Sequence, residues 1–140
     1  MMDRVYRLGD KNIIIVNNNV LLTDEVVEEN RAHCRELLAE MEGPVVLVID
    51  YREVKTDFVS IIKIMKGNQA GKRKDLNERT FTIMVGEDQL VNMLRDSMLQ
   101  PGSGAVQVPY FSDFEEAIGA AEYYLQERAR ERENQSQNES

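Results

Sequence analysis

Unbroken apolar runs alternate along this chain with segments in which apolar residues return every three or four positions. The clearest run is Pro44-Val-Val-Leu-Val-Ile-Asp50. A run without polar alternation reads as a strand covered on both faces, so helices are expected to flank a largely parallel sheet. Arg79-Thr-Phe-Thr-Ile-Met-Val-Gly86 reads as a second such strand, and Ala105 to Val108 as a short last one. Near the start, Arg4 to Leu8 and the β-branched Asn12 to Val16 predict two strands joined by a Gly9-Asp-Lys turn. After Asn17-Asn-Asn19, Val20 to Leu22 is a short strand or a lead into a helix.

Helical spacing fills the intervals. Thr23 is placed as an N-cap, with Asp24 and Glu25 in the first turn and Val26, Val27, Cys34, Leu37, Leu38 and Met41 as the apolar stripe, broken by Asn30. Gly43-Pro44 ends that helix. A second helix starts near Thr56 or Asp57, an N-cap being a simpler role for Thr56 than a modified hydroxyl, and turns Phe58, Ile61, Ile62 and Met65 inward. A third opens at Glu87 or Asp88, carries Leu90, Val91, Leu94, Met98 and Leu99, and stops at Pro101 to Gly104. Ser112 and Glu115 form a capping box for the last, whose inner face is Phe114, Ala117, Ile118, Ala121, Tyr124 and Leu125. The fold class is therefore α/β: a mixed sheet of four to six strands with a largely parallel core, flanked by about four helices.

At 140 residues the chain suits one domain, expected over residues 1–130. Residues 131–140 are expected as a disordered tail, because the last seven, Asn134 to Ser140, bring no apolar surface to bury. A net charge of -8 argues against nucleic-acid binding and against adhesion to anionic membranes. No run is long enough for membrane insertion and no signal peptide is evident, so a cytoplasmic location is the expectation.

Candidate chemistry is sparse. Cys34 is the only cysteine, which excludes an internal disulfide. His33 beside it points about 100° away on a helix, so the two do not make a nucleophile–base pair. Asp50 ends a central strand as a phosphoacceptor would, but the acidic pair Asp24 and Glu25 fits a helix first turn and Gly86-Glu-Asp88 offers no lysine; bonding to its own turn is the simpler role. Lys66, Lys72, Arg73 and Lys74 form a basic cluster among glycines. Its spacing from Gly67 to Gly71 is one residue short of a phosphate-binding loop and it follows a helix, leaving a docking patch as its functional reading. No metal site, cofactor fingerprint or catalytic residue set emerges, and the expectation is a protein that is not an enzyme.

Thr23-Asp-Glu25 opening a helix, Pro44 to Asp50, Phe81-Thr-Ile-Met-Val-Gly86 before a helix, and Phe111-Ser-Asp-Phe-Glu-Glu-Ala117 together resemble the STAS superfamily. The closer likeness is to its SpoIIAA-like branch of small stand-alone proteins, over roughly residues 4–125. The resemblance implies a regulatory, protein-interaction domain in bacterial signalling. It also implies a phosphorylatable serine in an Asp-Ser-Ser-Gly joint after the central strand. Here the joint reads Val54-Lys-Thr-Asp-Phe-Val-Ser60, so the small residues and glycine are missing, and Ser60 and Thr56 are the candidate hydroxyls. The partner-facing edge is expected at Asp50, Arg52, Lys55, Asp57, Gly86 and Asp88. A protein partner is expected, and exposed edge strands make a homodimer a further candidate. The competing reading is a small-molecule binder, with an apolar or phosphorylated ligand at that same edge.

Overall fold

The structure, a computed structural model, describes residues 4–18, 21–69, 79–86, 92 and 108–138, with side chains outside that description at 65–69 and 135–138. Strands β1 (Val5–Arg7), β2 (Ile13–Asn17), β3 (Val45–Asp50), β4 (Thr80–Val85) and β5 (Tyr110–Phe111) lie side by side in sequence order. β1 and β2 pair antiparallel; every later pair is parallel. Three helices are described: α1 (Asp24–Ala39), α2 (Phe58–Gln69) and α3 (Phe114–Asn138). The class is thus mixed α/β, as the apolar runs required.

Two-residue alternation divides the sheet's side chains between two cores. Ile14 and Val16 of β2, Val45, Leu47 and Ile49 of β3, and Met84 of β4 pack with Cys34 and Leu38 of α1 and Ile61 and Ile64 of α2. Their neighbours Ile13, Ile15, Val46, Val48, Ile83 and Val85 pack with Ala117 and Ala121 of α3. Strands that advance one place at a time, joined by crossovers of a single hand, bring α1 and α2 to the same face. The other face is covered, among the described residues, by α3. The middle of its contact side is Ala117 and Ala121, both buried, with Phe114, Ile118, Tyr124 and Leu125 packed around them.

Local chemistry fixes most element ends. Thr23 caps α1, its Oγ1 accepting from the Val26 N–H at 3.2 Å. At the other end of α1 the last turn has no basic residue of its own. Arg79, just before β4, supplies one: its guanidinium donates to the carbonyls of Leu38 (3.0 Å), Met41 (2.6 Å) and Gly43. Gly43, with φ +79°, then turns the chain through Pro44 into β3. The interruption of the α1 stripe at Asn30 is filled by a polar contact, since buried Asn30 donates to Asn18 Oδ1 at 3.0 Å.

Several sequence expectations shift. The last helix starts at Phe114, and its cap is Asp113: Oδ1 accepts from the Glu115 N–H at 3.1 Å and the carbonyl from Ala117. Ser112 therefore precedes the cap, and the Ser112–Glu115 box does not form. The described last strand is Tyr110–Phe111 rather than Ala105 to Val108; of that stretch only Val108 is described, buried and outside any strand. Leu21 makes a single parallel bridge to Lys55, so Leu21-Leu22 is a lead into α1. Helix α3 continues to Asn138, through most of the expected tail. No Gly or Pro follows Gly119 in it, and Arg128–Glu131 and Arg130–Glu127 pair across one turn. The helix expected over residues 87–99 lies outside the described residues, apart from Asn92.

Candidate functional site

The carboxyl end of the parallel strands is where open α/β sheets place ligands and partners. Here that edge begins at Asp50, the last residue of β3. Alternation turns its side chain to the α3 face, where it is 6% exposed. A buried carboxylate needs donors. Arg52, two residues on, provides three: its backbone N–H at 3.0 Å and its Nε at 3.0 Å to Oδ1, and Nη2 at 2.8 Å to Oδ2. The backbone bond closes a turn on the Asp50 side chain, and the two guanidinium bonds grip the carboxylate bidentately.

The same guanidinium stands 5.0 Å from the centre of the Phe114 ring, the first residue of α3. One arginine therefore ties the end of β3 to the start of the last helix through a charge on one side and a π face on the other. The hydrogen bond to Asp50 raises the Arg52 pKa above its ordinary value, against a smaller opposing effect of burial. Asp50 has both oxygens occupied by Arg52, which leaves it as a structural clamp. Among the described residues no group of three or more His, Cys, Asp or Glu is placed to hold a metal ion.

Gly86 completes the clamp from the neighbouring strand. Its φ is +135°, and a Cβ there would stand 3.1 Å from the Tyr51 carbonyl carbon. Only glycine lets β4 end so close to the chain leaving β3. Hydrogen bonds hold the approach: Tyr51 N–H to the Val85 carbonyl at 2.7 Å, and Gly86 N–H to the Phe111 carbonyl at 3.0 Å.

Beyond the clamp, the joint runs alongside the lead into α1. The Leu22 N–H donates to the Lys55 carbonyl at 2.7 Å, and Thr56 Oγ1 donates to the Leu22 carbonyl at 3.2 Å. Thr56 is thus committed to this bridge and does not cap α2. Asp57 caps it instead, with Oδ1 accepting from the Ser60 N–H at 2.8 Å. The Leu21–Lys55 pairing sets the two caps, Thr23 and Asp57, two residues further along each segment. Two helix N-termini consequently start side by side, each with its own carboxylates: Asp24 and Glu25 on α1, Asp57 on α2.

The inward face of α2 is Ile61 and Ile64, both buried. Phe58, expected inside, is 56% exposed, and Val59 is 63% exposed. At 100° per residue Val59 lies about 170° round the helix from the Ile61–Ile64 midline. Leu21, next to the joint through its bridge to Lys55, is 55% exposed. Three large apolar side chains thus stand in water at the same edge. Spacing alone did not reveal them, because α2 begins with more apolar residues than one face holds.

The structure brings Asp50, Arg52, Lys55, Asp57, Gly86, Thr56 and Ser60 to this one edge, but gives Asp50, Arg52, Gly86 and Thr56 internal work. Asp88, Lys72, Arg73 and Lys74 lie outside the described residues, as does the side chain of Lys66. Cys34 is buried in the α1–sheet core. No described helix is long and apolar enough to cross a membrane. Neither protein-family models nor curated protein sequences match this chain.

Proposed function

We propose that this protein is a non-enzymatic, STAS-like regulatory domain of bacterial signalling type, working in the cytoplasm by docking a protein partner at the start of α2. The observation that carries the reading is the exposure of Leu21, Phe58 and Val59 together beside the joint. Exposed apolar side chains gathered at one edge are a feature of interaction surfaces, and aromatic anchors supply much of the affinity there. Asp50, Arg52, Thr56 and Asp57 beside them are tied into the clamp, the bridge and the cap, so the edge offers an apolar contact rather than reactive groups.

The chemistry of the edge also ranks the alternatives. Asp24, Glu25 and Asp57 already complement the positive ends of the two helices, which disfavours a phosphorylated ligand there. The same argument applies to a phosphate on Ser60. Its N–H is held by Asp57, and a phosphoryl group would stand beside that carboxylate. Docking in this protein is therefore assigned to the apolar side chains, without a phosphoserine switch.

Photo-crosslinking tests this directly. A benzophenone side chain replacing Phe58 in the protein's own cells is expected to yield a discrete protein adduct, and one replacing Tyr123, exposed on α3, is expected not to. Adducts of equal pattern from both positions, or only a small-molecule adduct at 58, would overturn the proposal. Serine at positions 58 and 59 is expected to abolish the adduct partner's binding while changing unfolding free energy by no more than about 0.5 kcal/mol, since both side chains are exposed.

A further inference from the structure

The apolar side chains at the start of α2 sit in an acidic setting. Along the two segments that meet at the Leu21–Lys55 bridge, Asp24, Glu25, Glu53 and Asp57 stand against Lys55 and Lys63, the charge of Arg52 in the same joint being taken up by Asp50. Glu25, Glu53 and Asp57 are exposed, and neither Asp24 nor Asp57 has a cation partner among the described ion pairs. The whole chain carries -8. We propose that the partner is a basic-rimmed, apolar-anchored protein segment: an aliphatic or aromatic anchor that covers Phe58 and Val59, flanked by Lys or Arg facing the acidic rim. The proposal rests on the reading of this edge as a docking face.

Charge complementarity selects this occupant over the others. A second copy would bring another acidic rim and another excess of negative charge to the same contact, and like charges set opposite each other oppose association. An anionic lipid surface is repelled for the same reason. A basic-rimmed segment instead gains at both stages. The acidic rim speeds its encounter with the face, and burial of Phe58 and Val59 slows its departure. Its affinity accordingly falls with added salt, while part of it persists because the apolar contact is not screened.

Selection from a display library of random peptides, with the intact 140-residue chain as bait, tests the inference. Enriched peptides are expected to carry net positive charge beside apolar anchors and to lose about tenfold or more in affinity for the Phe58→Ser/Val59→Ser variant. They are also expected to weaken on the Glu25→Lys/Glu53→Lys variant, whose fold is checked by thermal unfolding. Peptides that need Phe58 and Val59 but are neutral or acidic would overturn the basic-rim inference and leave the docking face standing. Peptides indifferent to the serine variant would overturn both. Concentration-dependent self-association of the wild-type chain, lost in the serine variant, would assign the face to a second copy and overturn the proposal.

Discussion

Asp50 had two readings in the sequence, a reactive carboxylate at a strand end or a carboxylate bonded to its own turn. The second is what the structure holds, with Arg52 on both of its oxygens. The turn was legible because Asp and a residue two places on commonly make it. The contact of Arg52 with Phe114 was not, since no local pattern links residues 62 positions apart. Arg52→Ala leaves a buried carboxylate with one backbone donor, and is expected to cost about 1–3 kcal/mol in urea unfolding. Arg52→Lys is expected to restore only part of this, because an ammonium cannot grip two oxygens in a plane. Gly86 carries a second residue-scale prediction. Gly86→Ala places a methyl against the Tyr51 backbone at an unfavourable φ, and is expected to lose about 2–3 kcal/mol in the same measurement.

Among the elements, α2 departs most from its expected placement. The sequence located it well and turned Ile61 inward, but it placed Phe58 inside and left the cap open between Thr56 and Asp57. Phe58, Val59, Ile61, Ile62, Ile64 and Met65 offer apolar choices around much of the helix, and periodicity cannot say which the sheet takes. Thr56 and Asp57 are both good caps; the choice fell to Asp57 because Thr56 is drawn to the Leu22 carbonyl. Asp57→Ala is expected to destabilise the protein by about 1 kcal/mol and to speed amide exchange at Ser60 and Ile61. A larger exchange effect from Thr56→Val at those two amides would contradict the assignment. By contrast, α1 kept its cap, its acidic first turn and most of its stripe, because Thr23 has no competing partner among the described residues. Its far end was not legible: Arg79 reaches Leu38 from 41 positions away.

For the whole molecule, the apolar runs foretold a sheet covered on both faces, and the order of elements foretold parallel strands. They did not say that one helix would serve as the described cover of the second face. Ala117 and Ala121, each fully buried, set how near that helix lies. Ala121→Leu is expected to push α3 from the sheet and lower stability by about 1–3 kcal/mol, read by thermal or urea unfolding. The stacked rings of Phe81 and Tyr124, 4.2 Å apart at their centres, are expected to separate in the same variant, seen in their aromatic proton shifts. Strand order in space repeats strand order in the chain, so on the ribosome the sheet grows one strand at a time along a single edge. Helix α3 emerges after all five strands. Until it does, Ile13, Ile15, Val46, Val48, Ile83 and Val85 lack the cover that α3 gives them among the described residues. A nascent chain stalled short of Phe114 is therefore expected to be held by chaperones longer than one that includes the last helix, read by pull-down of the two stalled chains.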